Sequence, residues 1–392
     1  MKDFWQTLTI GELCDEGGGS VQTGPFGSQL HAEDYVADGV PFVMPTNLGE
    51  NRIVENEIAR ISVADTERLS RYRLRTGDII YGRRGDIGRR ALVTKREDGW
   101  MCGSGCIRIR FGEAEVEPRF VSFYLGQSRV KELILTKAVG STMPNLNSEI
   151  IRSIPISFPP LPIQRRIADI LGALGDKIEC NRRINQTLEA MAQALYKHWF
   201  VDVQAERLPD GWEITTVGDL CEFAYGKGLK EIERVQGQYP VYGSAGTVGT
   251  HNEYLVRAPG IVVGRKGTIG QVQRARVPFF PIDTTFYIIP KAPEYSFDFL
   301  FLMLGRLGLE HRNNDSAVPG LNRNDVYTLP ALRPPKAVLE DFNAKVAPLF
   351  LQIDSNENEN QTLARTRDYL LPKLLSGEVE VKEQEEQLEK TL

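Results

Sequence analysis

Trp5-Gln-Thr-Leu-Thr-Ile-Gly-Glu-Leu-Cys14 returns 207 residues later as Trp212-Glu-Ile-Thr-Thr-Val-Gly-Asp-Leu-Cys221. The echo continues along the chain. Gly82-Arg-Arg-Gly-Asp-Ile-Gly88 matches Gly264-Arg-Lys-Gly-Thr-Ile-Gly270 at an offset of 182. Pro144-Asn-Leu-Asn147 and Pro155 match Pro319-Gly-Leu-Asn322 and Pro330 at 175, and the same offset pairs Asn185-Gln-Thr-Leu188 with Asn360-Gln-Thr-Leu363. The order is the same in both halves and the offset falls only by steps, which chance matches would not do. The chain is a duplication, and each half reads as one globular unit followed by one helix.

The steps locate the difference between the copies. Residues 15–76 span 62 positions, whereas their counterparts 222–258 span 37. Around this divergent stretch the elements repeat. Asp78-Ile-Ile-Tyr81 and Ile261-Val-Val263 are β-branched runs ending at glycine, which predicts strands entering turns. Phe120 to Lys137 and Phe297 to His311, rich in Leu and aromatics and free of proline, predict helices. Pro155, Pro159, Pro160 and Pro162 then close the first unit, as Pro330, Pro334 and Pro335 close the second. Proline presets φ for a helix start and breaks a helix interior, so a long helix should follow each cluster.

Both long helices have an apolar seam at spacings of three and four. The first reads Leu171, Leu174, Ile178, Asn181, Asn185, Leu188, Ala192, Leu195 and Trp199. The second reads Val346, Leu349, Ile353, Asn356, Asn360, Leu363, Arg367, Leu370 and Leu374. Such a seam also suits a helix that covers only its own unit's core. The paired Asn near the midpoint favour mutual packing, because a buried Asn pair costs stability but fixes register. In an antiparallel pair Asn181 faces Asn360 and Asn185 faces Asn356. About 36 residues at 1.5 Å each make a rod of roughly 54 Å. The expected fold class is therefore α+β: two duplicated globular α/β domains separated by a pair of long antiparallel coiled-coil helices, with pseudo-twofold symmetry. The expected boundaries are 1–158 and 204–333 for the globular domains, 159–203 and 334–380 for the helices, and 381–392 for an acidic tail.

Composition supports a packed protein: 41% of the 392 residues are hydrophobic and 25% charged. No apolar run approaches the 20 or so residues a bilayer span needs. Neither a signal peptide nor a disulfide framework is read from the chain start or its five cysteines. A soluble cytoplasmic protein of a reducing compartment is expected. The net charge of -5 hides a strong asymmetry. Ser376 to Leu392 hold six Glu against two Lys, whereas Arg68 to Arg96 hold ten basic residues against two Asp. Arg257 to Arg276 hold five basic residues and no acid. Local patches, not the sum, set affinity for phosphate, so nucleic acid stays open.

Catalytic readings fail in turn. No G-x-x-x-x-G-K-[ST] loop exists for a nucleotide motor, and the Gly264, Gly267, Gly270 spacing does not supply one. Ser157-Phe-Pro-Pro-Leu161 lacks the polar and aromatic residues of the amino-methyltransferase loop and reads as a helix-start proline pair. Cys102 and Cys106 lack a second ligand pair, while Cys14 and Cys221 read as small core residues. His31, His198, His251 and His311 are scattered. No metal, cofactor or catalytic residue is expected.

The ordered, duplicated plan resembles the specificity (S) subunits of type I restriction–modification systems. The likeness rests on Gly77-Asp-Ile-Ile-Tyr-Gly-Arg-Arg-Gly-Asp-Ile-Gly88 and its repeat Pro259-Gly-Ile-Val-Val-Gly-Arg-Lys-Gly-Thr-Ile-Gly270. It rests equally on Tyr239-Pro-Val-Tyr-Gly-Ser-Ala-Gly246 and the two Pro-x-Leu-Asn segments. The last part is Ile154-Pro running through Pro160-Leu-Pro-Ile-Gln-Arg-Arg-Ile167 into the Asn-Gln-Thr-Leu helix. It covers about residues 5–380. The resemblance implies two target-recognition domains, each reading one half of a split site in double-stranded DNA. It further implies that the helices set the gap and dock two adenine-N6 methyltransferase (M) subunits, and that nuclease-translocase (R) subunits join for cleavage. The S subunit itself does no chemistry and touches no membrane. The family often places Glu-Gln after each proline cluster. Here the first copy has Gln164 alone and the second has Lys336-Ala-Val-Leu339.

Because the two halves should read different bases, shared motifs are expected to grip phosphate and divergent ones to read base edges. Arg83, Arg84, Arg89, Arg90, Arg265 and Lys266 are the expected phosphate contacts. Gln22, Gln29, Thr46, Asn47, Asn51 and Arg52 are the expected base readers in the first copy. Lys227, Lys230, Tyr242, Ser244, His251 and Asn252 are their counterparts. Gly24, Gly27, Gly226 and Gly228 suit either close approach to a duplex or ordinary turns. The competing class is a duplicated protein-binding scaffold without sequence-specific DNA recognition, against which the basic density at the repeated turns counts.

Overall fold

The computed structural model describes residues 5–26, 29–83, 88–138, 145–203, 208–312 and 320–381. Its contacts divide into two compact units, one of residues 1–178 with 361–392 and one of residues 179–360. Each unit therefore contains part of each long helix.

In the first unit the order is β1 (Gln6–Thr9), α1 (Ile10–Glu16), β2 (Ser20–Thr23), β3 (Tyr35–Val43), β4 (Glu50–Asn51), β5 (Ala59–Ile61), α2 (Val63–Arg68), β6 (Ile79–Gly82) and β7 (Arg90–Leu92). There follow β8 (Met101–Cys102), β9 (Cys106–Arg110), α3 (Pro118–Leu125), α4 (Ser128–Ala138), α5 (Ser148–Arg152), β10 (Pro155–Phe158) and the long α6 (Leu161–Tyr196). The second unit runs β11 (Glu213–Thr216), α7 (Val217–Leu220), β12 (Cys221–Tyr225), β13 (Tyr239–Gly243), β14 (Gly246–His251), β15 (Gly260–Gly264) and β16 (Val272–Ala275). It ends with β17 (Phe280–Pro281), β18 (Thr285–Pro290), α8 (Phe297–Leu304), α9 (Arg323–Tyr327), β19 (Pro330–Arg333) and the long α10 (Lys336–Leu375).

The sheets repeat strand for strand. The first unit has the orders β2-β9-β6-β7-β4, β5-β3-β8 and β1-β10; the second has β12-β18-β15-β16, β14-β13-β17 and β11-β19. One parallel pair is shared, β3 with β8 and β13 with β17. The longer insert of the first copy supplies α2 and β4, which adds an edge to the main sheet beside β7.

The predicted strands are buried on both faces, which is why they read as unbroken apolar runs and not as alternation. Ile79 and Tyr81 enter one core with Ile109 and Phe120, while Ile80 between them enters another with Phe42 and Met101. In the second unit Ile261 and Val263 likewise face Phe223 and Phe299, and Val262 faces Phe279. The helix predicted over Phe120 to Lys137 is instead two helices, α3 and α4. The chain stops α3 at Gly126, where the Arg90 guanidinium comes within 2.1 Å of where a Cβ would sit. The helix predicted from Phe297 to His311 likewise ends at Leu304, with Gly305 as its cap and a short 3-10 turn at Leu309–His311.

The long helices start at their proline clusters: α10 begins just after Pro335, and α6 begins at Leu161 with Pro162 in its first turn. Gln164, fully buried, fastens the first start: its Oε1 accepts from the Glu117 amide at 2.9 Å, and its Nε2 donates to the Pro159 carbonyl at 2.9 Å. At the equivalent place of α10 stands Leu339, packed in the core of the second unit. The unequal helix starts of the two copies are thus a hydrogen-bonded plug in one and an apolar plug in the other.

In the second unit, Asn181 Nδ2 donates to Asn360 Oδ1 at 3.0 Å and Asn356 Nδ2 donates to Asn185 Oδ1 at 2.7 Å, so α6 and α10 run antiparallel there. All four Asn are buried. Glu359 and Glu357 accept further bonds from Asn181 and Asn185. The same helices also cover core, so the two readings of the seam coexist. Val346, Phe350, Ile353 and Ala192 pack into the second unit, while Ile167, Leu171, Leu374 and Leu375 pack into the first. Among the described residues no helix is long and apolar enough to cross a membrane.

Candidate nucleic-acid interface

The motifs common to both copies bind one another. After β6, the Arg83 amide donates to the Gly105 carbonyl at 2.7 Å, and the Arg83 carbonyl accepts from the Leu146 amide at 2.9 Å. After β15, the Arg265 amide donates to the Thr284 carbonyl and the Arg265 carbonyl accepts from the Leu321 amide, both at 2.9 Å. The Gly-Arg turn and the Pro-x-Leu-Asn segment are thus two halves of one latch. The Asn of that segment caps the next helix, with Asn147 Oδ1 accepting from the Ile150 amide and Asn322 Oδ1 from the Asn324 amide. The opening repeat closes each unit in the same way. The Ile10 amide donates to the Ile154 carbonyl and the Val217 amide to the Leu329 carbonyl, each beside a capping box built on Thr9–Glu12 or Thr216–Asp219.

Two glycines have an internal reason. A Cβ on Gly24 would lie 2.0 Å from the Gly103 carbonyl oxygen, and one on Gly226 would lie 2.1 Å from that of Ile282. Their smallness serves the protein's own backbone, not a duplex. Gly228 has open space around it, and Gly27 lies outside the described residues.

The basic residues of the turns divide. Arg83 is half-buried and its Nε donates to the Leu146 carbonyl at 3.2 Å, bracing the latch. Arg84 lies outside the described residues. Arg89 is exposed. Arg90 does not project outward as expected: it is 6% exposed, its Nε donates to the Ser122 carbonyl at 2.7 Å, and burial pushes its pKa down. A guanidinium held there braces α3 against β7 and is withdrawn from the phosphate set. Arg265 is half-buried, with Nη1 on the Asp283 carbonyl at 2.9 Å, and Lys266 beside it is exposed.

Three expected base readers are likewise interior. Asn47 is 2% exposed and spans its own loop, accepting from the Met44 amide and donating to the Val54 and Asn56 carbonyls. Buried Ser244 donates to the Thr284 carbonyl, and Nδ1 of buried His251 accepts from the Val235 amide. Each of the three is thus buried and bonded inside the fold, where a reader of base edges is expected at the surface. Gln22 and Gln29 are half-buried: Gln22 Oε1 accepts from Arg108 at 2.7 Å and Gln29 Oε1 from Tyr72 at 2.9 Å. Asn51, at φ 59°, accepts from the Ser122 hydroxyl, and Arg52 is half-buried. Tyr242 packs edge-on against Phe279, and burial raises its hydroxyl pKa. Thr46, Lys227, Lys230 and Asn252 are exposed.

Two residues of this surface escaped the sequence reading. Tyr225, at the end of β12, is 48% exposed, and the guanidinium carbons of Arg265 and Arg323 lie 4.8 and 4.6 Å from its ring centroid. The aromatic directly before Gly226-Lys227 was the available signal for Tyr225. None existed for Arg323, which reaches the site from 98 residues away. The two cysteines near the first turn are not poised as nucleophiles. Burial pushes the Cys102 thiol up to about 12 and that of Cys106 well above its ordinary value. Among the described residues no group of three or more His, Cys, Asp and Glu gathers as a metal site.

Against known proteins, a family model described as the type I restriction modification DNA specificity domain matches residues 2–190 and again 209–335. The chain is 25% identical over 435 residues to the type I restriction enzyme HindI specificity subunit of Haemophilus influenzae, covering 87% of this chain and 94% of that protein. It is 22% identical over 427 residues to the MjaIX specificity subunit of Methanocaldococcus jannaschii, covering 97% and 94%. The solved structure of a type I restriction–modification S subunit from M. genitalium superposes with a TM-score of 0.62 at 19% identity, covering 94% of this chain and 96% of that one. That likeness establishes a shared fold.

Proposed function

Because the chain belongs to the type I restriction–modification DNA specificity family, we propose that it is the non-catalytic subunit that chooses where such a complex acts on DNA. Residues 1–158 and 204–333 are its two target-recognition domains, each reading one half of a bipartite site in double-stranded DNA. The helical segments 159–203 and 334–380 set the unread gap and dock two adenine-N6 methyltransferase subunits. Nuclease-translocase subunits join the same complex for cleavage.

One observation carries the reading. The backbone of the duplicated motifs holds each unit together, and the copies differ most in the segments 15–76 and 222–258. A common scaffold with exchangeable loops is what two readers of different half-sites need. Phosphate contacts position the protein, and base contacts in the divergent loops specify the sequence. Lys266 is the exposed cation of a shared turn, so it belongs to the positioning class.

Lys266→Ala is therefore expected to weaken binding of the assembled complex to every duplex by about the same factor. The slope of log K against log salt should fall by about 0.9, the value of one phosphate contact. Binding titrations at several salt concentrations read both. A change in the methylated sequence would instead make Lys266 a base reader and overturn this division.

A further inference from the structure

We infer that Tyr225, Arg265 and Arg323 form a phosphate clamp in the second unit that the first unit lacks, so that the two half-sites are gripped unequally. The inference rests on the DNA-reading role proposed above and adds two residues to it.

The geometry is that of two cations on one ring. Tyr225 closes β12 opposite Phe286 of β18, and its inner side packs on that ring at 5.1 Å between centroids. The Arg265 guanidinium carbon is 4.8 Å from the Tyr225 centroid and that of Arg323 is 4.6 Å. An aromatic face attracts a cation, and the planar guanidinium stacks on it while its edge donors stay available. Both arginines are anchored by one carbonyl each, Arg265 by Asp283 at 2.9 Å and Arg323 by Phe223 at 3.3 Å. Among the described residues neither has a carboxylate within ion-pair distance. Other arginines of the same unit do: Arg274 holds Asp298 and Asp354, and Arg333 holds Glu213. Two like charges held on one half-exposed ring raise the local positive potential, which an anion reached by both lowers. Exposed Lys227 and Lys266, on the two adjoining segments, add to the positive field. An oxygen-rich monoanion, as in the phosphate of a nucleic-acid backbone, matches the forked donors of two guanidiniums.

Among its described residues the first unit has no equivalent at the matching positions. Thr23 takes the place of Tyr225 in the register, paired with Ile107 as Tyr225 is with Phe286. Ser148 follows the capping Asn147 where Arg323 follows Asn322. Only the turn arginine is shared, and Arg83 spends its Nε on the Leu146 carbonyl.

The test uses the full chain assembled with its methyltransferase partners and a duplex carrying the motif methylated in the source cell. Arg323→Ala is expected to lower affinity about tenfold at physiological salt and to reduce the salt slope by about 0.9, with the methylated motif unchanged. Arg323→Lys should keep the slope, because it keeps the charge. Tyr225→Ala should weaken binding to a similar extent by releasing both guanidiniums. Arg333→Ala, which removes an arginine already paired with a carboxylate, should leave the slope alone. An Arg323→Ala complex with wild-type thermal midpoint, affinity and slope would overturn the clamp while leaving the DNA-reading role intact. A changed motif would overturn it too, by making Arg323 a base reader. A wild-type complex with no preference for the motif duplex would overturn the underlying role as well. Should Arg323→Ala fail to fold, a wild-type slope with Arg323→Gln would decide against the clamp.

Discussion

Exchanging residues 212–333 for the matching segment of another family member is expected to replace one half of the methylated motif and leave the other half untouched. The boundaries follow from the closure of the second unit. Strand β11 pairs antiparallel with β19, Glu213 opposite Arg333 and Thr216 opposite Pro330. A segment cut within β19 would leave foreign and native strands to pair, whereas this one carries both together. The seam of the long helices is outside the exchange. Its effect on specificity is large because each mismatched base pair typically costs about 1–3 kcal/mol, roughly additively. Three altered pairs in one half-site are enough to abolish recognition of the old sequence. Sequencing of N6-methyladenine in cells expressing the chimera reads the outcome. A motif altered in both halves would contradict the assignment of one half-site to each domain.

The largest expected loss of stability is at Phe342. This α10 residue is fully buried, its ring 4.7 Å from that of Phe200 and 5.8 Å from that of Trp199, with Tyr196 and Phe299 completing the cluster. These rings join both long helices and α8 in the core of the second unit. Phe342→Ala removes a fully buried ring of this cluster, and a buried Phe→Ala typically costs about 3–5 kcal/mol through lost transfer energy and the cavity left behind. Against the 5–15 kcal/mol or so that stabilises a typical domain, this threatens the unit's fold. Urea unfolding followed by tryptophan fluorescence, to which Trp199 and Trp212 report from the same cluster, measures it. A loss below about 1 kcal/mol would show that the cluster repacks around the gap. Phe342→Leu, which keeps most of the volume, should lose far less.

What the sequence disclosed was the architecture, because the duplication puts every structural motif on the page twice. The strands at Ile79 and Ile261, the helix starts at the proline clusters and the two-unit plan all come from patterns that local chemistry dictates. The break at Gly126 was illegible because it answers a buried arginine 36 positions earlier in the chain. The roles of individual polar residues were harder still. Arg89 and Arg90 are neighbours of the same type, yet one is exposed and the other bonds a carbonyl inside the fold. Asn47, Ser244 and His251 sit in divergent segments, where readers are expected, but each bonds within its own unit: Asn47 across its loop, His251 to the Val235 amide and Ser244 to the Thr284 carbonyl. Repetition betrays a scaffold, while burial of one polar side chain depends on partners far away in sequence. Arg323 and Tyr225 were missed for that reason: their contact exists only once α9 and β12 are folded together.

The specificity role is tested most directly by a map of N6-methyladenine across the source genome, with and without this gene. The expected result is the loss of a single two-part motif with a fixed unspecified gap when the gene is removed, and its return when the gene is restored. An unchanged map, with a methyltransferase partner shown to be expressed and active in the same cells, would contradict the specificity role and favour a duplicated scaffold that binds protein alone.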